Sequence, residues 1–207
     1  MAELTLTTFL TLDGVVQAPG GPGEDDSGGF RYGGWVVPYF DDDAGRFMAE
    51  VFERAGAFLL GRRTYDLFAG YWPKMTDPDD PIASRLNALP KYVASTTRDR
   101  GDWQGTTFLG GDVPAEVARL KERLPDGELQ IHGSGALARS LMDRDLIDEY
   151  RMLVFPVVLG TGKRLFPDGG LPTAFRFTGT RTTASGVAVH TYRPTGRATF
   201  GSFLLDE

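Results

Sequence analysis

Residues 128–142 constrain this chain most, because the hydrophobic period changes there across a pair of glycines. Residues 128–132 read as a short strand, and residues 136–142 as a helix with Leu137 and Leu141 on one face. Gly133-Ser134-Gly135 joins them. A strand that stops at Gly-x-Gly and restarts as a helix brings bare backbone close to a ligand. The helix start then offers unpaired N–H groups to an anion, so the pattern is that of a phosphate cradle. It is also the pattern of an ordinary Gly-rich β–α turn, and the rest of the chain has to decide between the two.

At 207 residues the chain reads as a single domain, 1–207, with enough surface to bury a full core. The formal net charge of −6 and the lack of a Lys/Arg-rich run argue against nucleic-acid binding. With no cysteine, disulfides, thiol nucleophiles and iron–sulfur ligation are excluded. His132 and His190 are the only histidines, so no His-based metal site is expected. No signal peptide and no apolar run of membrane-spanning length is seen, which points to a cytoplasmic protein without a membrane partner.

Residues 4–12 are Thr-rich and read as the first strand, ending at the turn signal Asp13-Gly14. Residues 17–34 form a long loop of Gly, Pro, Asp and Ser, read as a lid over a ligand. Residues 35–40 are apolar and aromatic. Asp41-Asp42-Asp43 then suits the start of a helix carrying Phe47, Met48, Val51, Phe52 and Ala55. A short strand at 57–60 runs into Gly61-Arg62-Arg63-Thr64 and a helix. Two guanidiniums and a hydroxyl at a strand-to-helix junction form a second candidate anion site. A helix at 82–89, strands at 91–95 and 107–109, and an amphipathic helix at 113–124 follow, closed by the turn Pro125-Asp126-Gly127. Beyond the Gly-x-Gly unit come a long strand at 147–159, with a bulge or an edge at Pro156, and a hairpin of strands at 174–183 and 187–193. Phe200, Phe203 and Leu204 in the tail are expected to dock on the body.

Strands alternating with helices, then a closing hairpin, give a mostly parallel α/β sheet with antiparallel strands at one end. Such a sheet binds ligands at the carboxyl ends of its strands. The turns at Asp13, Arg62 and Gly133 all fall there, which favours a ligand over a bare turn. The Rossmann fingerprint fits Gly133 to Ala138 only formally: Asp148 and Glu149 precede the core of the next strand and do not hold a ribose at its end. Gly160-Thr161-Gly162-Lys163 is not a P-loop, since Arg164 takes the Ser/Thr place.

Taken together, the motifs resemble the dihydrofolate reductase superfamily. The chain is most similar to stand-alone proteins like the reductase domain of the bifunctional riboflavin-biosynthesis deaminase–reductase. The resemblance rests on Thr11-Leu12-Asp13-Gly14, Leu60-Gly61-Arg62-Arg63-Thr64-Tyr65, Ile131-His132-Gly133-Ser134-Gly135, Leu146-Ile147-Asp148-Glu149-Tyr150, and Pro156-Val157-Val158-Leu159-Gly160-Thr161-Gly162 with Leu165-Phe166. It implies a dihydrofolate reductase-like three-layer α/β fold. The central sheet would be mixed and mostly parallel, with an antiparallel C-terminal hairpin.

The resemblance also implies NADPH as cofactor. Arg62, Arg63 and Thr64 would hold the 2′-phosphate, Ser95 would line the adenosine side, and Gly133, Ser134, Gly135, Ala136 and Leu137 would cradle the pyrophosphate. The implied activity is hydride transfer to a small pyrimidine- or pterin-like heterocycle, as in 5-amino-6-(5-phosphoribosylamino)uracil reductase. A proton must then be supplied and the acceptor aligned, and Asp13 and Asp41 are the candidates for proton supply or substrate orientation. Trp35 and Phe40 are the candidates for stacking on the substrate. Two departures from the family pattern stand out. Thr7 occupies the place of a Lys in the riboflavin reductases. Phe40 occupies the place of the dihydrofolate reductase Asp, with Asp41 one residue late, a turn of about 100° on a helix. They keep a second function open, a nucleotide or small-ligand binding module without turnover. The Phe-bearing tail and the edge hairpin point to a homodimer, which the resemblance also implies.

Overall fold

A computed structural model describes residues 1–124 and 127–203; part of the turn expected at 125–127, and Leu204, lie outside them. Eight strands form one sheet: β1 (Glu3–Thr11), β2 (Ala55–Gly61), β3 (Lys91–Ala94), β4 (Thr106–Leu109), β5 (Glu128–His132), β6 (Glu149–Phe155), β7 (Thr173–Thr182) and β8 (Ala188–Arg197). Among the described residues five α-helices are α1 (Asp42–Glu53), α2 (Arg62–Tyr71), α3 (Pro81–Ala88), α4 (Val113–Arg123) and α5 (Gly135–Met142). The strand order is β4-β3-β2-β5-β1-β6-β8-β7. The first six run parallel, and the β7/β8 hairpin is antiparallel at one edge.

Period-two alternation builds two cores from one sheet. On β2, Phe58 and Leu60 pack with Phe47, Met48, Val51 and Phe52 of α1, Tyr65 of α2 and Leu86 of α3. Ala57 and Leu59 pack on the opposite face with Val117 and Leu120 of α4 and Leu137, Ala138 and Leu141 of α5. Strands buried on both faces read as unbroken apolar runs, as 57–60 does. Three layers result, as expected.

Three expectations need correction. The long strand at 147–159 is β6, only Glu149–Phe155; Pro156 cannot donate to the ladder, so the strand stops before it and does not bulge around it. Ala55 opens β2 and is not part of α1. Phe200 and Phe203 dock on nothing; both side chains are exposed.

The sequence reading also missed a buried ionic network under α1. Arg151 on β6 is 2% exposed and grips Glu128 of β5 with two N–H···O bonds of 2.7 Å. Its Nε donates to Glu149 (2.8 Å), and Arg193 of β8 bridges Glu149 to Glu3 of β1. Four adjacent strands are joined this way. Removing Arg151 breaks the bidentate buried pair and leaves Glu128 with the longer, part-exposed Arg54 contact (3.3 Å) and Glu149 with Arg193. Arg151→Met is therefore expected to cost about 3–5 kcal/mol in urea unfolding, and Arg151→Met/Glu128→Leu to recover most of it; equal stability of Arg151→Met and wild type would contradict the role given to this pair.

Candidate functional site

β2 and β5 are parallel neighbours, so the turns that follow them lie side by side at the carboxyl edge of the sheet. Both turns lead into helices whose first turns carry no side-chain cap. The other three helices are capped by aspartates: Asp41 for α1, Asp80 for α3 and Asp112 for α4. Uncapped N–H groups and the positive helix end are what an anion uses.

Ser134 ties the two turns together. Its Oγ accepts from the Gly61 N–H (2.9 Å) and donates to Thr64 Oγ1 (3.0 Å). These bonds hold Ser134 in the left-handed region at φ 52°, directly after Gly133 at φ 59°. For a residue with a Cβ that conformation is costly and persists because its surroundings fix it. Arg62, Arg63, Thr64, Gly133, Ser134, Gly135, Ala136 and Leu137 are thus brought to one place. Ser95 joins them indirectly. Its Oγ accepts from the N–H groups of Thr97 (3.2 Å) and Arg98 (2.9 Å), shaping a turn that presents Arg98. Arg98 then pairs with Asp66 (2.6 Å), which also holds Arg62 (2.9 Å).

The two candidate acids take their hydrogen bonds from groups outside this cradle. Asp13 accepts from Thr11 Oγ1 (2.6 Å) and from the N–H groups of Leu159 (3.2 Å) and Gly160 (2.9 Å). The Thr11 hydrogen bond, helped by those two N–H groups, holds its pKa at about 2. Asp41 accepts from Ala44 N, as the α1 cap, and from Ser185 N in the β7–β8 turn. The same Ala44 bond heads the causes that hold its pKa at about 2. In the free protein these donors favour the ionised form of both.

Trp35 is buried, donates its Nε1–H to Gln17 O (2.8 Å) and sits edge-on to Phe155. Phe40 is half-exposed and edge-on to Phe9, whose ring also meets Phe155. Of the two, Phe40 presents an open ring face. Below this wall, His132 stacks on Phe52 at 4.4 Å, and its Nε2 lies 3.0 Å from Gln130 Oε1. Gln130 Nε2 donates to Val51 O and Glu128, so its oxygen faces the ring and His132 carries its proton on Nε2. The Thr7 hydroxyl, in register with His132, is buried without a partner. Arg98, Asp25 and Lys163 were not legible as site residues; no local spacing marks them, because each meets its partner across a long stretch of sequence.

Two outcomes follow. Ser134→Ala orphans the Gly61 N–H and removes the link between the turns. It is expected to cost about 1–2 kcal/mol of stability and to weaken any anion bound at the cradle; an unchanged melting temperature would contradict the strut role. Burial, with Arg151 adding to it, pushes His132 from 6.5 down to about 3. The unfolded chain therefore takes up a proton between pH 6.5 and pH 3 that the folded chain refuses. Stability is full above pH 6.5 and falls below it, by about 2–3 kcal/mol at pH 4.5. Urea unfolding across that window should show the slope, and His132→Phe should flatten it.

The geometry has counterparts. The Bacillus subtilis (strain 168) uncharacterized protein YyaP is 31% identical over 196 residues, 94% of this chain and 96% of that protein. The structure of a putative riboflavin biosynthesis protein from Shewanella sp. PV-4 superposes with a TM-score of 0.68 at 23% identity, covering 94% of this chain and 99% of that one. Dihydrofolate reductase from Enterococcus faecalis, complexed with NADP(H), shares the fold at a TM-score of 0.58 and 14% identity, covering 93% and 96%. Residues 2–189 match the model of the RibD C-terminal domain, and the chain belongs to that family.

Proposed function

We propose that the protein is an NADPH-dependent reductase of a small heterocycle. One observation carries the reading: two uncapped α-helix starts, joined by Ser134, open side by side at the carboxyl edge of a sheet whose other α-helices among the described residues are all capped by Asp. The similarity to RibD reductase-domain proteins and to an NADP(H)-bound dihydrofolate reductase supports it.

In this reading the α5 start, from Gly133 to Leu137, receives the pyrophosphate on backbone N–H groups. Arg62, Arg63 and Thr64 at the α2 start receive the 2′-phosphate, with Arg98 beside them. A bound nicotinamide supplies the hydride. The half-exposed ring of Phe40, backed by Phe9 and Phe155, offers a flat heterocycle an edge or face to pack on. Asp13 and Asp41 position loops; the proton comes from solvent or from the substrate's own acidic group.

A second reading has its own observation. Both candidate carboxylates are ionised and fully engaged, and the Lys place of the riboflavin reductases holds Thr7. A binding module that keeps the cradle and has no turnover meets these facts equally. NADPH oxidation against a panel of pterins, flavins and pyrimidines separates the two, since a module binds the dinucleotide and oxidises none.

Intrinsic Trp fluorescence titrations with NADPH and NADH test the cofactor site itself. Arg62→Ala is expected to weaken NADPH about tenfold more than NADH, the size of one charge-assisted phosphate contact. Equal loss for both would remove the 2′-phosphate from Arg62, and no binding of either would remove the dinucleotide reading.

A further inference from the structure

The loop read as a lid is a folded strap with three acids in a row, Glu24, Asp25 and Asp26; Glu24 turns inward to the N–H groups of Gly20 and Gly21, and Asp25 reaches out to α2. The strap's organiser is the buried Gln17. The Gln17 amide donates to the backbone oxygens of Asp25 and Ser27 (both 3.0 Å), its Oε1 accepts from Lys163 N (3.0 Å), and its own carbonyl accepts from Trp35. These bonds hold the 17–27 segment in one shape and deliver Asp25 to α2. There the carboxylate meets Lys163 Nζ at 2.5 Å, the hydroxyl and N–H of Ser27, and Arg63 Nη1 at 3.4 Å.

Each guanidinium of the Arg62-Arg63 pair therefore already faces a carboxylate, but the two pairings differ in kind. Asp66 is one turn along α2 from Arg62 and moves with it. Asp25 lies 38 residues from Arg63 and reaches it only through the strap. The Arg63–Asp25 pair alone makes the strap's position and the charge at the α2 start depend on each other.

A carboxylate in that place discriminates. It repels a phosphate that approaches Arg63, whereas it accepts a hydrogen bond from a ribose hydroxyl, the arrangement by which acidic residues recognise unphosphorylated dinucleotides. Resting on the reading that the cradle takes a pyridine dinucleotide, we infer that Asp25 sets the cradle's choice between phosphorylated and unphosphorylated cofactor: seated on Arg63, it holds off a 2′-phosphate, and NADPH binds fully only when the carboxylate releases Arg63. The Arg62-Arg63 pair pulls the preference toward NADPH and Asp25 trims it.

The experiment measures Kd for NADPH and NADH on the full chain, for wild type, Asp25→Asn, Arg63→Ala and the double variant. Asp25→Asn keeps an acceptor for Ser27 and removes the charge. It is expected to tighten NADPH roughly three- to tenfold, the range of a partly exposed ion pair, with NADH unchanged or weaker. In the Arg63→Ala background the same substitution is expected to leave the NADPH/NADH ratio unmoved, because the coupling runs through Arg63. A thermal melt of each variant checks the fold. A general loosening of the strap would shift both cofactors together, which counts against the proposal. An unchanged or lower NADPH/NADH preference in Asp25→Asn, while wild type binds NADPH, overturns the role of Asp25 and leaves the reductase reading standing. Failure of both wild type and Asp25→Asn to bind either dinucleotide overturns the reading itself and the inference with it. Binding of NADPH by Asp25→Asn alone supports both.

Discussion

The grip of Arg151 on Glu128 fixes the height of everything above it. Glu128, Gln130 and His132 point to the same face of β5, and a one-residue slip would turn all three away from α1. The bidentate pair to β6, the Glu128–Thr5 contact to β1 and the Gln130 bond to Val51 of α1 allow one register only. Two residues beyond Gln130 the strand ends and Gly133 begins. A buried ion pair contributes little net stability against a well-packed apolar alternative. Its use here is to specify where β5 stops, and hence where the α5 start faces the α2 start.

Capping divides the helices by task. α1, α3 and α4 begin with an aspartate that occupies the free N–H groups and strengthens the helix. A carboxylate at the starts of α2 and α5 would fill the place an anion needs. Ser134 satisfies the geometry there without filling it, since its hydroxyl turns sideways to Gly61 and Thr64 and leaves its own helix open. The left-handed strain at Ser134 is what that sideways turn costs, and the price falls on a residue that three hydrogen bonds hold in place.

Much of this was legible in the sequence where the signal is local. The strand at 128–132 shows in its residues, the apolar run at 57–60 marks a strand buried on both faces, and Asp41-Asp42-Asp43 marks the start of α1. Proline was less easily read. Pro156 ends β6, whereas Pro194 sits inside β8, because the β6 ladder stops at Tyr192 and the β7 ladder is bulged nearby. Contacts across long separations were not legible at all. Arg151 and Glu128 are ordinary charges in sequence, Asp25 is one acid in a polar loop, and the structural work of Asp13 depends on Leu159 and Gly160, about 146 residues away. A turn aspartate and a catalytic aspartate look alike until their hydrogen-bond donors are known.

The connector between β6 and β7 holds the base of the strap more firmly than the carboxylate of Asp25 is held. Val16 N donates to Lys163 O, Leu165 N donates to Gly14 O, and Val15 bridges Arg164, so residues 14–16 and 163–165 form one short antiparallel clasp. Gly162 sits where a Cβ would come within 2.7 Å of Val15 and 2.9 Å of Phe30, at φ 121°, so that close approach admits no side chain. The clasp therefore cannot open without breaking backbone bonds and apolar contacts together. The Asp25 carboxylate is held otherwise: its backbone stays on the buried Gln17 amide, while its side chain makes ion pairs with the part-exposed Lys163 and Arg63, which an incoming anion and solvent can both replace. Exchange of partners at this carboxylate is thus on the energy scale of an exposed ion pair, with the strap backbone left in place.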